Sequence, residues 1–244
     1  MWLYILLGIL QGIFEWLPIS SEGIVALASL PQEINPIDIA LFLHLGTFFA
    51  VLIYFRKDWG NVLIGKDKKL LKFLIIATII SLAVGLPLYL SVRNTAALGG
   101  SILLLLTGFG LLATSYFHKT KRKFGFAMNK LAMVTGLLQG LAVIPGLSRS
   151  GATIFGLSFG KLKPIEILKY SYMMSAPIVL VSTVYISLTN TIIFQAWPAL
   201  ITSFIIGLLS LHVLIKLSKK INFFKFTLMF GILCLVGGSI SLFI

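Results

Sequence analysis

Three long apolar runs constrain this chain more than any other feature in it: Leu98 to Phe117, Ile165 to Leu188 and Phe226 to Ile244. Each approaches or exceeds the roughly 20 residues that an α-helix needs to cross a bilayer core. A transmembrane β-barrel would instead be written as short alternating segments. Only 11% of the 244 residues are charged and 58% are hydrophobic, against roughly 25% charged in a soluble globular domain. The surface must therefore face lipid, and the fold class is an all-α polytopic membrane protein. Met1-Trp2-Leu3-Tyr4 brings no basic n-region and no small-residue cleavage site follows, so the first apolar segment is expected to stay in the protein.

The net charge of +13 would suit nucleic acid if the basic residues shared a folded face. They fall instead in short loops between apolar spans, where membrane topology explains them, and no nucleic-acid partner is expected. Cys234 is the single cysteine and lies in an apolar run. It can form no intramolecular disulfide and no thiolate metal site.

Apolar length set against charge predicts six spans, approximately Pro36–Phe55, Leu70–Val92, Ala97–Phe117, Ile165–Leu188, Trp197–Leu217 and Phe226–Ile244. Met1–Leu17 and Leu131–Ile144 are too short: at about 1.5 Å per residue they reach roughly 21 to 25 Å, less than a core of about 30 Å. Each ends at a proline, opening Pro18-Ile19-Ser20-Ser21-Glu22-Gly23 and Pro145-Gly146-Leu147-Ser148-Arg149-Ser150-Gly151. Polar backbone at membrane depth must be buried in protein or line a wet cavity, so both are read as re-entrant helix–loop–helix hairpins. With the second hairpin returning to its own side, the basic regions Arg56–Lys72, Lys119–Lys130 and Lys216–Lys225 all lie in the cytoplasm. That topology puts Lys121 and Lys219 inside and Asn190 outside.

An internal repeat supports the first hairpin. Gln11-Gly12 and Gln139-Gly140 each precede an apolar stretch and then Pro-x-x-Ser, at Pro18–Ser21 and Pro145–Ser148. The chain is thus one membrane domain, 1–244, built as an inverted-topology repeat of about 1–117 and about 131–244. Such repeats place a site near the midplane, where the hairpin tips meet.

Two charges stand where charge is costly. Glu15 lies inside an apolar helix, at roughly 2.5 to 3.5 kcal/mol on insertion scales, with Gln11 one turn earlier on the same face. Arg149 is the only cation between Lys130 and Lys161, and its guanidinium can grip a phosphate with two parallel hydrogen bonds. Ser148, Ser150 and Thr153 add hydroxyls, and a helix beginning near Ser150 would aim free N–H groups at the same place. Ser20 or Ser21 beside an acidic group is a candidate nucleophile. By repeat offset Glu22 falls opposite Arg149, which would let those two charges pair; Arg149 could equally balance Glu15. Gly60 to Asp67 nearly matches a nucleotide-binding P-loop, but Asp67 replaces the required Ser or Thr and no strand precedes it. His44, His118 and His212 lack metal-ligand spacing; His44 reads as a packed or hydrogen-bonded core histidine with the site as the alternative.

Gln11-x-x-x-Glu15, Leu17-Pro18-Ile19-Ser20-Ser21 and Pro145-Gly146-x-Ser148-Arg149-Ser150-Gly151-Ala152-Thr153 resemble the undecaprenyl-diphosphate phosphatase (BacA) family. His44-Leu45-Gly46-Thr47 and Tyr54-Phe55-Arg56-Lys57-Asp58 are similar to it too. The resemblance implies a multi-pass plasma-membrane hydrolase that removes the terminal phosphate of a polyprenyl diphosphate, undecaprenyl or dolichol-type, from a site open to the extracytoplasmic side. It implies reaction-centre residues Glu15, Ser20, Ser21 and Arg149 and a divalent cation (Mg²⁺ or Ca²⁺) on Glu15. Glu22 joins the catalytic candidates as a replacement base, Gln11, Gly146, Ser148, Ser150 and Thr153 are the substrate-binding candidates from the polar stretches themselves, and a homodimer is the assembly allowed for. Where the bacterial pattern continues Ser-Ser-Thr-Gly-His, this chain reads Ser20-Ser21-Glu22-Gly23-Ile24. The family histidine is absent, Glu22 or Glu15 would have to take its proton, and an archaeal or divergent member is indicated. A polyprenyl-phosphate flippase using the same anion site is the competing reading.

Overall fold

The computed structural model describes residues 1–18, 21, 24–25, 36–92, 98–119, 125–144, 147–189 and 195–242. Ten helices run through them: α1 (Trp2–Phe14), α2 (Pro36–Tyr54), α3 (Arg56–Leu63), α4 (Lys68–Val92), α5 (Leu98–Lys119), α6 (Met128–Leu141), α7 (Arg149–Ser158), α8 (Pro164–Thr189), α9 (Trp197–Ser218) and α10 (Phe223–Leu242). No strand occurs among the described residues. Stretches of α4, α8, α9 and α10 are long and apolar enough to cross a membrane, and α2 and α5 contribute shorter apolar stretches at Leu41–Tyr54 and Leu104–Ala113. This is the architecture of a polytopic membrane protein.

On α9, Ile201, Ile205, Leu209 and Val213 form an exposed apolar stripe at every fourth residue, while Ala199, Ser203, Gly207 and Leu211 are buried on the other side. Lipid is as apolar as leucine, so helices associate where small residues let backbones approach. Gly8 and Gly12 of α1 seat that helix on α9, Gly8 against Ala199 to Ser203 and Gly12 against Ile206 and Gly207. In the same way Gly136 and Gly140 of α6 seat it on α4, against Ala77 and against Ser81 to Gly85. Residue numbers rise together in both pairs, so both are parallel. A methyl group on Gly12 would lie 2.7 Å from the Gly207 nitrogen, and one on Gly140 would lie 2.9 Å from the Ser81 carbonyl oxygen.

α2 packs on α9 and α8, α4 packs on α8, and α5 pairs with α10. In the last pair Gly108 faces Gly231 and Cys234 while Gly238 faces Leu105, so those helices are antiparallel. Exchanging α1 with α6, α2 with α8, α4 with α9 and α5 with α10 carries these pairings onto themselves.

α6 and α7 form a short antiparallel hairpin. Gly156 packs on Thr135 and Leu138, and Gly160 on Leu131. At its base the Phe126 N–H donates to the Phe159 carbonyl at 3.2 Å, with the two rings stacked at 5.6 Å. That end of the bundle also holds the Asp58–Lys169 ion pair, the Phe73–Tyr170 contact at 4.7 Å and Tyr54 against His212 at 6.0 Å. The P-loop-like stretch lies here as well, with Gly60 and Asn61 inside α3 and a turn at Gly65, φ 70°. Asp67 accepts the Leu70 N–H at 2.9 Å, as a helix cap does, and no phosphate cradle forms.

Gly12→Ala should lower the melting midpoint in detergent, equivalent to roughly 1 to 3 kcal/mol of overpacking against backbone. Gly60→Ala, with nothing within 4 Å of the added methyl, should raise stability by about 0.5 to 1 kcal/mol as helix propensity improves. Equal melting points for the two variants would contradict the close approach of α1 to α9.

Candidate active site

Pro18 disfavours helical backbone at the residue before it and has no N–H of its own, so α1 stops just short of it. Glu15 caps the helix, its N–H bonded to the Gln11 carbonyl at 3.0 Å, and the Leu17 N–H bonds the Phe14 carbonyl at 3.1 Å. The Leu17 carbonyl is left without a helical partner. Ser150 Oγ donates to it at 2.6 Å and Ser148 Oγ at 3.4 Å, which joins this tip to the start of α7. Ser148 is the N-cap of α7, its hydroxyl accepting the Gly151 N–H at 3.3 Å.

Trp16 anchors the turn. Its side chain is almost fully buried, its indole N–H donates to the Gly207 carbonyl and to Ser210 Oγ, both at 3.0 Å, and its carbonyl accepts the Tyr172 hydroxyl at 2.8 Å. The Trp16 and Tyr172 rings meet edge to face at 5.0 Å.

Glu15, held by these contacts, is 4% exposed. Its Oε2 accepts from Gln11 Nε2 at 2.9 Å, from His44 Nε2 at 3.0 Å and from Ser21 Oγ at 3.2 Å. Its Oε1 meets Nη2 of Arg149, whose Nη1 reaches the Ser171 carbonyl at 3.4 Å. Glu15, Ser21, His44, Leu147, Ser148, Arg149 and Ser150 line one pocket, with an empty volume of about 230 Å³ including its mouth. It offers a hydroxyl, a carboxylate, an imidazole and a guanidinium within one cluster, the components of nucleophilic attack on an anionic centre.

The structure thus brings together Gln11, Glu15, Ser21, Ser148, Arg149 and Ser150. Gln11 sits behind Glu15 rather than on the pocket wall, and its Oε1 is buried with no hydrogen-bond partner. Thr153 is fully buried, donating to the Arg149 and Ser150 carbonyls and bonded to Ser171 Oγ at 2.6 Å; it ties α7 to α8 and does not line the pocket. Ser20, Glu22 and Gly146 lie outside the described residues, as do Lys121 and Asn190. The carboxylate found on Arg149 is Glu15. His44 is the contact that sequence reasoning left in second place, and Ile24, where the family carries histidine, brings an alkyl side chain.

For a divalent cation the pocket offers donors of the right hard-oxygen kind: the Glu15 carboxylate and the hydroxyls of Ser21, Ser148 and Ser150. Among the described residues no three His, Cys, Asp or Glu gather. A cation here would take most of its shell from substrate phosphate and water, as Mg²⁺ commonly does.

The profile of the bacitracin resistance protein BacA family matches residues 4–240. Proteins named undecaprenyl-diphosphatase are similar at full length. That of Methanococcoides burtonii is 32% identical over 252 residues, covering 94% of this chain and 95% of its own. Those of Haloarcula marismortui and Sulfurisphaera tokodaii are 33% and 34% identical, covering 96% and 98% of both chains. A profile match over nearly the whole chain, with relatives this similar from end to end, makes this chain a member of the BacA family.

Proposed function

We propose that this multi-pass membrane protein is an undecaprenyl-diphosphatase, a hydrolase that removes the terminal phosphate of a polyprenyl diphosphate and regenerates the monophosphate carrier. The observation that carries the reading is the buried carboxylate of Glu15, which holds the Ser21 hydroxyl on one oxygen and Arg149 on the other. Arg149 exchanges its contact with Glu15 for the terminal phosphate, gripping two of its oxygens and stabilising the charge that develops as the phosphoryl group transfers. Ser21 Oγ attacks the phosphorus and its proton passes to Glu15 Oε2. The bond from phosphorus to the bridging oxygen breaks, leaving polyprenyl monophosphate and a phosphoserine. Water then attacks the same phosphorus, giving inorganic phosphate and restoring the serine. A bound Mg²⁺ or Ca²⁺ on Glu15 would neutralise charge on the diphosphate.

The membrane arrangement we infer has six spans, α2, α4, α5, α8, α9 and α10, and two re-entrant hairpins in an inverted repeat. Three features support it. α6 and α7, of 14 and 10 residues, make a hairpin only about 15 to 21 Å deep. Gly46 packs on Leu200 to Phe204 and Gly207 on Thr47 and Ala50, so α2 runs parallel to α9 just as α1 does, which requires a return between them. The exchange symmetry of the helix pairs is what duplication would leave. The cytoplasmic side of the plasma membrane would then hold the basic end, where Asp58–Lys169 and the start of α6 lie. Lys219→Cys in a Cys234→Ala background should react with an impermeant thiol reagent only after cell lysis; labelling in intact cells would reverse the orientation.

Purified protein should release phosphate from undecaprenyl diphosphate, whereas a flippase would move lipid and release none. Ser21→Ala and Glu15→Gln should each abolish release, Ser21→Ala with an unchanged melting midpoint and Glu15→Gln with a lower one, because Arg149 then loses its carboxylate; full turnover in either would remove that residue from the reaction.

Breaking a buried ion pair from one side costs about 3 to 5 kcal/mol, so Arg149→Ala should be inactive and less stable. Arg149→Lys, which keeps the charge but not the fork, should melt normally yet lose most of its phosphate release. Wild-type turnover in the lysine variant would show that Arg149 only balances Glu15.

A further inference from the structure

Glu15 Oε2 has more donors than it can fully satisfy. A carboxylate oxygen offers two lone-pair directions, yet three donors stand around this one, with the nitrogens of Gln11 and His44 nearer and the Ser21 hydroxyl outermost at 3.2 Å. The outermost is the one free to turn toward a substrate. Gln11 shares a helix with Glu15, so it braces the carboxylate only from its own side. His44 reaches in from α2 and fixes Oε2 relative to the rest of the bundle.

That reach is firmly set. The His44 side chain is 8% exposed, and its carbonyl accepts the Thr47 hydroxyl at 3.0 Å. One residue before it, the Leu43 carbonyl accepts Ser203 Oγ of α9 at 3.1 Å. Two residues after it, Gly46 lies so close to α9 that an added methyl would stand 2.9 Å from the Phe204 nitrogen. α2 therefore cannot slide, and the imidazole meets Glu15 from a fixed direction.

Glu15 has a competing arrangement open to it. A guanidinium presents a planar fork that a carboxylate takes with both oxygens, yet here Oε1 alone faces Arg149, whose other amino group goes to the Ser171 carbonyl. We propose that His44 is a positioning residue that holds Glu15 Oε2 in front of Ser21 and out of the Arg149 fork, an assignment that rests on the hydrolase reading above. Without it the carboxylate turns onto Arg149 with both oxygens. That turn removes the proton acceptor from Ser21 and occupies the guanidinium that must grip phosphate. The family histidine cannot substitute, because its position is Ile24.

The test compares wild type, His44→Leu and His44→Gln, with kcat and KM for phosphate release from undecaprenyl diphosphate and melting midpoints in the same detergent. Glutamine carries an amide nitrogen about as far along the side chain as imidazole Nε2, so it keeps the donor. Leucine should lower kcat by roughly a hundredfold, the scale of a small misplacement of a reacting group, and raise KM as Arg149 is captured. Glutamine should recover kcat to within about threefold of wild type, which a merely space-filling role would not produce. If the leucine variant does not purify, His44→Asn, polar but one carbon too short to reach Oε2, should show the same loss. Wild-type kcat in the leucine or asparagine variant, or a glutamine variant as impaired as leucine with an unchanged melting midpoint, overturns the proposal. A wild type that releases no phosphate overturns the hydrolase reading and this role with it, a result distinct from an active wild type indifferent to position 44.

Discussion

The contact between Glu15 and Arg149 is where this structure is most constrained, because a buried charge left without its partner is strongly destabilising. On insertion scales each costs roughly 2.5 to 3.5 kcal/mol at the centre of a helix. The two residues are 134 positions apart in the chain, so joining them requires that two separate helix ends be delivered to one place. The glycine faces do this, Gly8 and Gly12 setting α1 on α9 while Gly136 and Gly140 set α6 on α4. The hydroxyls of Ser148 and Ser150 then close the junction onto the Leu17 carbonyl, a backbone group that lipid could not satisfy.

The pair is balanced, and the balance has a consequence for chemistry. A buried ion pair is weak evidence for stability, since apolar side chains of similar size often serve a fold as well. Its value here lies in what a multiply charged anion can do to it. A diphosphate would offer Arg149 more negative charge than one carboxylate, and under the proposed function its binding would separate the pair and release Glu15 Oε1. Trp16 and Tyr172 keep the turn in place while this happens, because they hold its backbone and not the charges.

Much of this was legible from the amino acids. The six long helices follow from apolar length, and none of their ends lies more than about three residues from the expected one. Glu15, Gln11, Ser148, Arg149 and Ser150 stand out because polar groups in apolar surroundings demand a partner, a demand readable without coordinates, and the structure places them in one cluster. Three matters were not. The repeat offset sets Glu22 against Arg149, but an offset aligns positions in the chain and does not tell which side chain reaches; Glu22 lies outside the described residues, and the carboxylate that the structure shows on Arg149 is Glu15. Thr153 lies one turn from Ser150 and seemed to share its face, yet its hydroxyl turns inward to Ser171. His44 offered only one histidine in one apolar span, with no spacing to distinguish a core residue from a site residue; its proximity to Glu15 exists only once α2 is packed on α9.

Arg149 also sits in a position that local stability would not choose. The first turn of a helix carries the positive end of its dipole, and cations are favoured at the opposite end. Here Arg149 is the first residue of α7, capped by Ser148, so guanidinium and helix dipole add positive potential at the same point. An arginine needed only to balance Glu15 would be better placed near a helix C-terminus, where the dipole would help it. Sites that break a local rule while the rest of a fold obeys it are where function is to be sought. Among the described residues the carboxylate that answers this doubled positive potential is that of Glu15, through one oxygen, and under the proposed function the remaining potential would receive a phosphate.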